Sequence, residues 1–363
     1  MATTPTTITD VARVAGVSKG AVSFALNDKP GVAAHTRERI LAVARDLDWT
    51  PSLRGRALSV SRALAVGLVI ARTPETLAAD PFFGSFISGI ESVLSKRGYA
   101  LMLQVVGDER TEHESYRQLA GSGRVDGVFL TDLRVDDLRP QLLDDLGLPT
   151  VVIGPAPERG PWSTVYIDDQ PGIVAAVEHL VALGHRKISH VSGPTEFVHG
   201  LSRRTAWAGA VSAARLPPGP CITADFSAQG GADATRQLLS LDEPPTAIVY
   251  ANDLMAIAGM STAISLGVEV PSQLSVTGFD DAPLSAYIQP ALTTVRTDIA
   301  GWGRAAARQL LAVIDHEADC ESNLPVPEFV VRASTAPPRQ PGTGAPRKDR
   351  RGSAPIRHRK ETR

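Results

Sequence analysis

The chain has 363 residues, 43% apolar and 21% charged, an ordinary soluble-globular composition at a length that calls for two or three domains. Its formal net charge of −2 hides a segregation, because residues 1–62 carry a net +4, residues 63–335 a net −13 and residues 336–363 a net +7. The overall balance therefore says nothing against a nucleic-acid partner, while the start of the chain and its longest apolar runs point to neither a secretory leader nor a membrane helix.

In chain order, Ile8, Val11, Ala12 and Ala15 recur at helical spacing behind a Thr7–Asp10 pair that resembles a capping box. Gly16 supplies a turn. Ser18 is a candidate N-cap for a helix from Lys19 to about Asn27 that turns Val22, Ala25 and Leu26 inward and leaves its outer face for base edges. A third helix, about 34–47, is expected to bury Ile40, Leu41, Ala44 and Leu47, completing a three-helix unit of helix-turn-helix type. Residues 52–62 have small side chains, Arg54, Arg56 and Leu58 and no broad apolar stripe, as expected of a short hinge helix that folds on binding.

From Leu64 onward, short apolar runs alternate with amphipathic segments. Strands are expected at Leu64–Ile70, Ala100–Val106, Gly127–Leu130 and Thr150–Gly154, and in a second series at Ile188–Ser192, Ala247–Ala251 and Leu274–Gly278. Helices are expected to begin near Phe86, Glu112 and Asp137, then to cover about 171–183, 203–214, 230–239 and 253–266. Two parallel βαβ series imply two α/β lobes with a cleft between the carboxyl ends of their strands. The last segment, 336–363, mixes Pro, Gly, Arg and Lys and is expected to be disordered, either as a solubilising tail or as a source of nonspecific DNA affinity.

The residues Thr7-Ile8-Thr9-Asp10-Val11-Ala12-Arg13-Val14-Ala15-Gly16-Val17-Ser18 and Thr36-Arg37-Glu38-Arg39-Ile40-Leu41 resemble the headpiece of the lac and galactose repressor (LacI/GalR) family. The resemblance extends through Val125-Asp126-Gly127, Leu183-Gly184-His185-Arg186, Ala251-Asn252-Asp253, Val270-Pro271, Gly278-Phe279-Asp280-Asp281 and Pro290-Ala291-Leu292-Thr293-Thr294-Val295, covering about residues 7–335. It implies an all-α helix-turn-helix headpiece (1–50) and a hinge helix (51–62). A two-lobed periplasmic-binding-protein-like α/β core with parallel sheets and three crossovers follows (63–335). Lobe 1 takes about 63–165 and 293–320, and lobe 2 takes 166–292 and 321–335. The expected partners are double-stranded operator DNA, a small effector such as a sugar or polyol, and a second copy of the chain, in the cytoplasm.

The resemblance places Lys19, Gly20, Ala21, Ser23, Phe24 and Asn27 on the recognition helix, with Thr7, Ser18, Ser52, Arg54, Gly55 and Arg56 as further DNA contacts and Leu58 as a minor-groove wedge. Phe24 stands where an arginine is usual. A phenyl ring cannot donate to guanine, so it either meets a thymine methyl or packs on the headpiece. In the core, Phe82, Phe83, Thr131, Asp132, Arg204, Asn252 and Asp280 are the candidate effector contacts, Arg204 being matched with Trp207 at a position where glycine is usual. Carboxylates, an amide and a guanidinium beside aromatic rings suit a hydroxyl-rich ligand. Trp207, Trp162 and Phe82 are candidate stacking rings, Asp253 and Asp281 are candidate caps or structural carboxylates, and His185 is expected at a helix end, where a cation is favoured.

No nucleophile elbow, dinucleotide loop or phosphate loop occurs, the eight histidines have no zinc spacing, and Cys221 and Cys320 have neither disulfide nor ligand spacing. Neither an enzyme nor a metal or cofactor site is expected. The expected function is a repressor of a carbohydrate operon under effector control. An activator or dual regulator with a non-sugar effector, or a solute-binding protein of the same core, stands as the alternative.

Overall fold

In a computed structural model of the chain, residues 6–26, 29–49, 62–156, 160, 162–318 and 324–339 are described. Helices α1 (Ile8–Ala15), α2 (Lys19–Leu26) and α3 (Ala34–Asp46) form the N-terminal unit. Thr7 donates its N–H and its hydroxyl to the Asp10 carboxylate at 3.0 and 2.7 Å, and Gly16 ends α1 at a φ of 66° that a side chain would strain. Val11, Ala15, Val22, Ile40 and Ala44 make a core of their own. Leu41, expected inside, is 38% exposed, because it lies about 100° around α3 from the buried Ile40–Ala44 row.

The first lobe runs β1 (Ala65–Ala71), α4 (Pro74–Ala79), α5 (Pro81–Arg97), β2 (Ala100–Val106), α6 (Glu109–Ser122), β3 (Val128–Leu130), α7 (Arg139–Asp145), β4 (Thr150–Ile153) and β5 (Ser163–Val165). Its strands form one parallel sheet in the order β2-β1-β3-β4-β5. The second lobe runs α8 (Gln170–Ala182), β6 (Ile188–Ser192), α9 (Val198–Ala213), β7 (Cys221–Thr223), α10 (Ala228–Leu239), β8 (Ala247–Tyr250), α11 (Asp253–Ser265) and β9 (Ser275–Thr277), with the parallel order β7-β6-β8-β9. The chain then lays β10 (Thr294–Arg296) beside this lobe, through bridges Thr277–Thr293 and Asp280–Arg296, before crossing to α12 (Ile299–Asp315) on the first lobe. It returns as β11 (Glu328–Val330), antiparallel to β10. Residues 294–296, expected in the first lobe, therefore lie with the second.

The short strands β5, β7, β10 and β11 and the 17-residue α12 were not among the expected elements. The strands are too short to show a period. The missed helix α12 carries Ala305, Ala306, Leu310, Leu311 and Ile314 at helical spacing.

Behind the cleft lies a buried charge cluster. Arg139 donates to Glu112 at 2.6 Å, to Asp137 at 2.6 and 3.0 Å, and to the Asp132 carbonyl at 2.7 Å, while Arg134 reaches the other Glu112 oxygen at 2.7 Å. Both Arg139 and Glu112 are 1% exposed. Each charge is tolerated only because its partners replace water. In the second lobe the buried Asp253 carboxylate accepts hydrogen bonds from Ala282 N–H (2.8 Å), the Ser285 hydroxyl (2.5 Å) and the Thr294 hydroxyl (2.5 Å), tying α11 to the loop after β9 and to β10. Burial pushes its pKa up to about 6 despite these donors.

His185 is not a surface cation. Its Nε2–H donates to the Ala336 carbonyl at 2.9 Å, its Nδ1 accepts from the Thr246 hydroxyl at 2.8 Å, and burial holds its pKa below the usual value, so it packs neutral between β9 and the end of the core.

Two stability tests follow from these buried charges. Arg139→Ala removes the buried guanidinium paired with Asp137 and leaves Glu112 with Arg134 alone; it is expected to cost about 3–5 kcal/mol in urea unfolding of the core, and a midpoint within error of the parent would refute the assignment. The Asp253 carboxyl is protonated more readily folded than unfolded, so its contribution falls as pH rises from about 4 through about 6. Relative to Asp253→Asn, the parent should lose about 3 kcal/mol between pH 4 and 7. Parallel pH profiles for the two proteins would exclude this.

Candidate functional site

On the N-terminal unit, the Ser18 hydroxyl accepts the Ala21 N–H at 3.1 Å and starts α2. Ser18, Lys19, Gly20 and Phe24 are exposed, Ala21 and Ser23 are half-buried, and Thr7 is exposed beside the start of α1. Val22 and Ala25 face the small core, so the residues expected to meet DNA share the opposite side of the helix. Phe24 is 44% exposed, yet a Cβ placed on Gly31 would lie 3.5 Å from its ring, so one edge of the phenyl rests on the following turn while the rest faces outward. Arg37 of α3 braces that turn by donating to the Lys29 carbonyl at 2.7 Å and to the Ala25 carbonyl at 3.4 Å. Asn27, Ser52, Arg54, Gly55, Arg56 and Leu58 lie outside the described residues.

The second site is a cavity of about 840 Å³, including its open mouth, between the carboxyl ends of the two sheets. From the first lobe it receives Arg72 after β1, Asp80, Phe82 and Phe83 at the start of α5, Thr131 and Asp132 after β3, and Trp302 of α12. From the second come His199 and Arg203 on α9, Phe226 after β7, Asn252 after β8 and Asp280 after β9. Loops at strand ends converge here because parallel connections return each strand in the same direction.

Six of the seven expected contacts line the cavity: Phe82, Phe83, Thr131, Asp132, Asn252 and Asp280. Arg204 does not. It is exposed on α9, one residue and about 100° around the helix from Arg203, which takes the expected place with Ala206 and Trp207 on its inner side. Trp207 packs in the core against His190 with ring centroids 5.4 Å apart, and Trp162 packs against the first-lobe core, so of the three candidate rings only Phe82 reaches the cavity. Arg72, Asp80, His199, Arg203, Phe226 and Trp302 were missed. Asp80 had a local signal, an Asp-Pro pair at a helix start, and its carboxylate caps α5 through Phe82 N–H at 3.0 Å.

Both arginines of the cavity wall are paired with carboxylates. Arg72 makes a two-point ion pair with Asp132 at 2.8 and 3.0 Å, and its guanidinium lies 4.5 Å from the Phe197 ring centre and 5.4 Å from that of Phe226, on the opposite lobe. Arg203 donates to Asp169 at 2.8 Å and to the Ala251 carbonyl, over the face of Phe279. Burial works to raise the Asp132 carboxyl, but Arg72 outweighs it and holds the group below its usual range. Burial pushes Asp280 well above its usual range, with Arg203 opposing and Asp80 adding to the rise. His199, stacked between Phe197 and Phe226 at 5.6 and 5.2 Å, is driven by burial down to about 3 and is neutral. Asn252 is already used, accepting Met255 N–H and donating to the Phe226 carbonyl, each at 3.0 Å.

The lobes also touch through backbone. Val135 N–H donates to the Glu196 carbonyl and Val198 N–H to the Leu133 carbonyl, both at 2.8 Å, around an Arg134–Phe197 bridge. The arrangement offers acceptors, donors and ring faces to a small polar molecule at the boundary between the lobes. Among the described residues no cluster of three His, Cys, Asp or Glu side chains is able to hold a metal, and no helix is long and apolar enough to cross a membrane.

Residues 7–52 match the model for bacterial regulatory proteins of the lacI family, and residues 177–335 match that for a periplasmic binding protein-like domain. The HTH-type transcriptional regulator CelR of Thermobifida fusca is 33% identical over 316 residues, covering 86% of this chain and 92% of its own length. Among solved structures, a complex of a transcriptional regulator CelR with cellobiose aligns at a TM-score of 0.68 and 31% identity over 91% of this chain and 99% of that one. A lac repressor dimer bound to operator and the anti-inducer ONPF aligns at 0.79 and 27% over 92% and 100%. Headpiece and two-lobed core thus match in order and across nearly the whole length, and the chain belongs to the lacI family of bacterial regulatory proteins, as a DNA-binding transcriptional regulator and not an enzyme.

Proposed function

We propose that the protein is a repressor of a carbohydrate uptake or catabolic operon, acting in the cytoplasm as a homodimer on a palindromic operator and controlled by a hydroxyl-rich effector in the interlobe cavity. The observation that carries this is the cavity itself, in which Asp132, Asp280 and Arg203 face one space together with Phe82, Phe226 and Trp302. Such a wall satisfies hydroxyls at its polar groups and covers an apolar sugar face with a ring. A relative whose solved complex contains cellobiose supports a carbohydrate, and an operator-bound dimer among the structural neighbours supports paired headpieces. A single headpiece of this size buries too little DNA for tight specific binding, which also favours two half-sites.

In the proposed mechanism the effector binds Asp280 and Arg203 on one lobe and Asp132 on the other. It thereby changes the lobe angle and, through it, the spacing of the two hinges. Residues 51–62 would form the hinge helix, with Leu58 entering the minor groove and Arg54 and Arg56 near the backbone. Ser18 and Lys19 would contact phosphate or guanine, and Phe24 a thymine methyl.

Calorimetric titration with cellobiose, followed by other mono- and disaccharides, tests the effector. Binding is expected to weaken about 10- to 100-fold in Arg203→Ala and in Asp280→Ala, with operator affinity unchanged. Tight binding of a nucleoside and of no sugar would overturn the carbohydrate assignment. Selection of genomic fragments at moderate salt in excess competitor DNA tests the operator. A palindrome beside transport or catabolic genes is expected, Phe24→Arg should add a guanine preference at one position of each half-site, and Leu58→Ala should weaken binding. Recovery of DNA without a common sequence would refute specific repression.

A further inference from the structure

Helices α5 and α12 share a geometry that connects the cavity to the start of the core. Each has 17 residues and is therefore about 25 Å long. Their first turns meet at the cavity, where Phe82 and Trp302 lie 5.9 Å apart, Trp302 is 6.2 Å from Phe86, and its indole N–H donates to the Val165 carbonyl at 2.9 Å. Over residues 86–90 and 300–303 they touch backbone to backbone. A Cβ on Gly89 would fall 2.1 Å from the Ala300 carbonyl oxygen, and one on Gly303 would fall 2.2 Å from that of Phe86. Two helices in such contact at reciprocal points have no side-chain layer to absorb a slide, so they move as one body.

Their last turns meet at Asp315. Its carboxylate accepts from Arg97, the last residue of α5, at 2.9 Å, and from Arg62 at 2.5 Å. Arg62 also donates to the Ile314 carbonyl at 3.1 Å and to the Tyr99 hydroxyl at 3.4 Å. It is the last residue of the segment expected to be the hinge and the one residue of that segment that is described, and the next two N–H groups, of Ala63 and Leu64, are both taken by the Asp126 carboxylate at 2.7 and 2.8 Å. A carboxylate in the last turn of a helix opposes the helix dipole, so helix physics alone does not ask for Asp315 there. Its partners do.

We infer that Asp315 is a positioning residue for DNA binding: through Arg62 it fixes the point at which the chain from the headpiece joins the α5–α12 pair. A displacement of the pair at the cavity then reaches the hinge without loss. This rests on the assignment of the chain as an effector-controlled reader of specific DNA, and it concerns residues that are neither among the expected DNA contacts nor in the cavity wall.

The test uses the full-length protein and the DNA fragment selected by it. Asp315→Asn and Arg62→Gln should each bind that fragment about tenfold more weakly. The double variant should be no weaker than either single one, and Asp315→Glu should recover most of the affinity. Asp315→Asn is the discriminating variant, because it removes a negative charge. A purely electrostatic effect would tighten binding to specific and random DNA alike, whereas a lost tether weakens the specific complex alone. Unchanged or tighter specific binding, or singles that add, would overturn the inference, as would equal losses with a lowered urea midpoint, which mark plain destabilisation. If the parent selects no sequence, the proposed function fails by itself and the tether is decided by limited trypsin digestion. Faster cleavage of the Arg62–Ala63 bond in Asp315→Asn sustains it, and an unchanged rate overturns it.

Discussion

Parallel strands cannot be joined by tight turns, so each must be followed by a crossover that carries the chain back over the sheet before the next one begins. That constraint brings the carboxyl end of every strand in a lobe to one edge, and two such edges face each other here. Arg72, Asp132, Phe226, Asn252 and Asp280 all sit just beyond strand ends for this reason, though they are spread over more than 200 residues of chain. The second passage between lobes adds Trp302 from a helix that belongs to the first lobe only by packing.

Burial then governs the chemistry at the meeting of the edges. A guanidinium or carboxylate taken out of water persists only with an opposite charge or several donors. Arg72 with Asp132, Arg203 with Asp169, and Arg139 with Glu112 and Asp137 answer that demand. These pairs also organise the site. Arg139 holds the carbonyl of Asp132, whose carboxylate holds Arg72, which in turn lies over rings of the other lobe. Asp280 has no such full compensation and is pushed towards its neutral form, which leaves it ready to exchange burial for hydrogen bonds with a polar ligand.

The acidic core and the basic first 62 residues divide labour along the chain. Positive charge is concentrated where phosphates are to be met, and the negative remainder disfavours DNA against the rest of the surface. Arg62 belongs to both parts, as the last basic residue of the first and a half-buried anchor of the second.

Periodicity, apolar runs and glycine punctuation determined the three headpiece helices and the longer strands, because those signals are local: β2 and β6 cover the expected residues Ala100–Val106 and Ile188–Ser192. The family and the outward residues of α2 were likewise legible, and so were six of the cavity residues, since each lies in or beside a recognisable motif, at the start of α5 for Phe82 and Phe83 and beyond a strand end for Thr131, Asp132, Asn252 and Asp280. Choosing between Arg203 and Arg204 was not, since adjacent residues on a helix carry the same local signal and only the packing of α9 decides which one faces the cavity. Trp207 shows the same ambiguity in reverse, a ring that suits a ligand and is spent on the core. Arg72, His199 and Phe226 are brought together from two loops and the start of α9, and the contact of Arg62 with Asp315 spans 253 positions. No local pattern encodes a contact of that kind, because it exists only once segments distant in the chain have packed together and excluded water from between them.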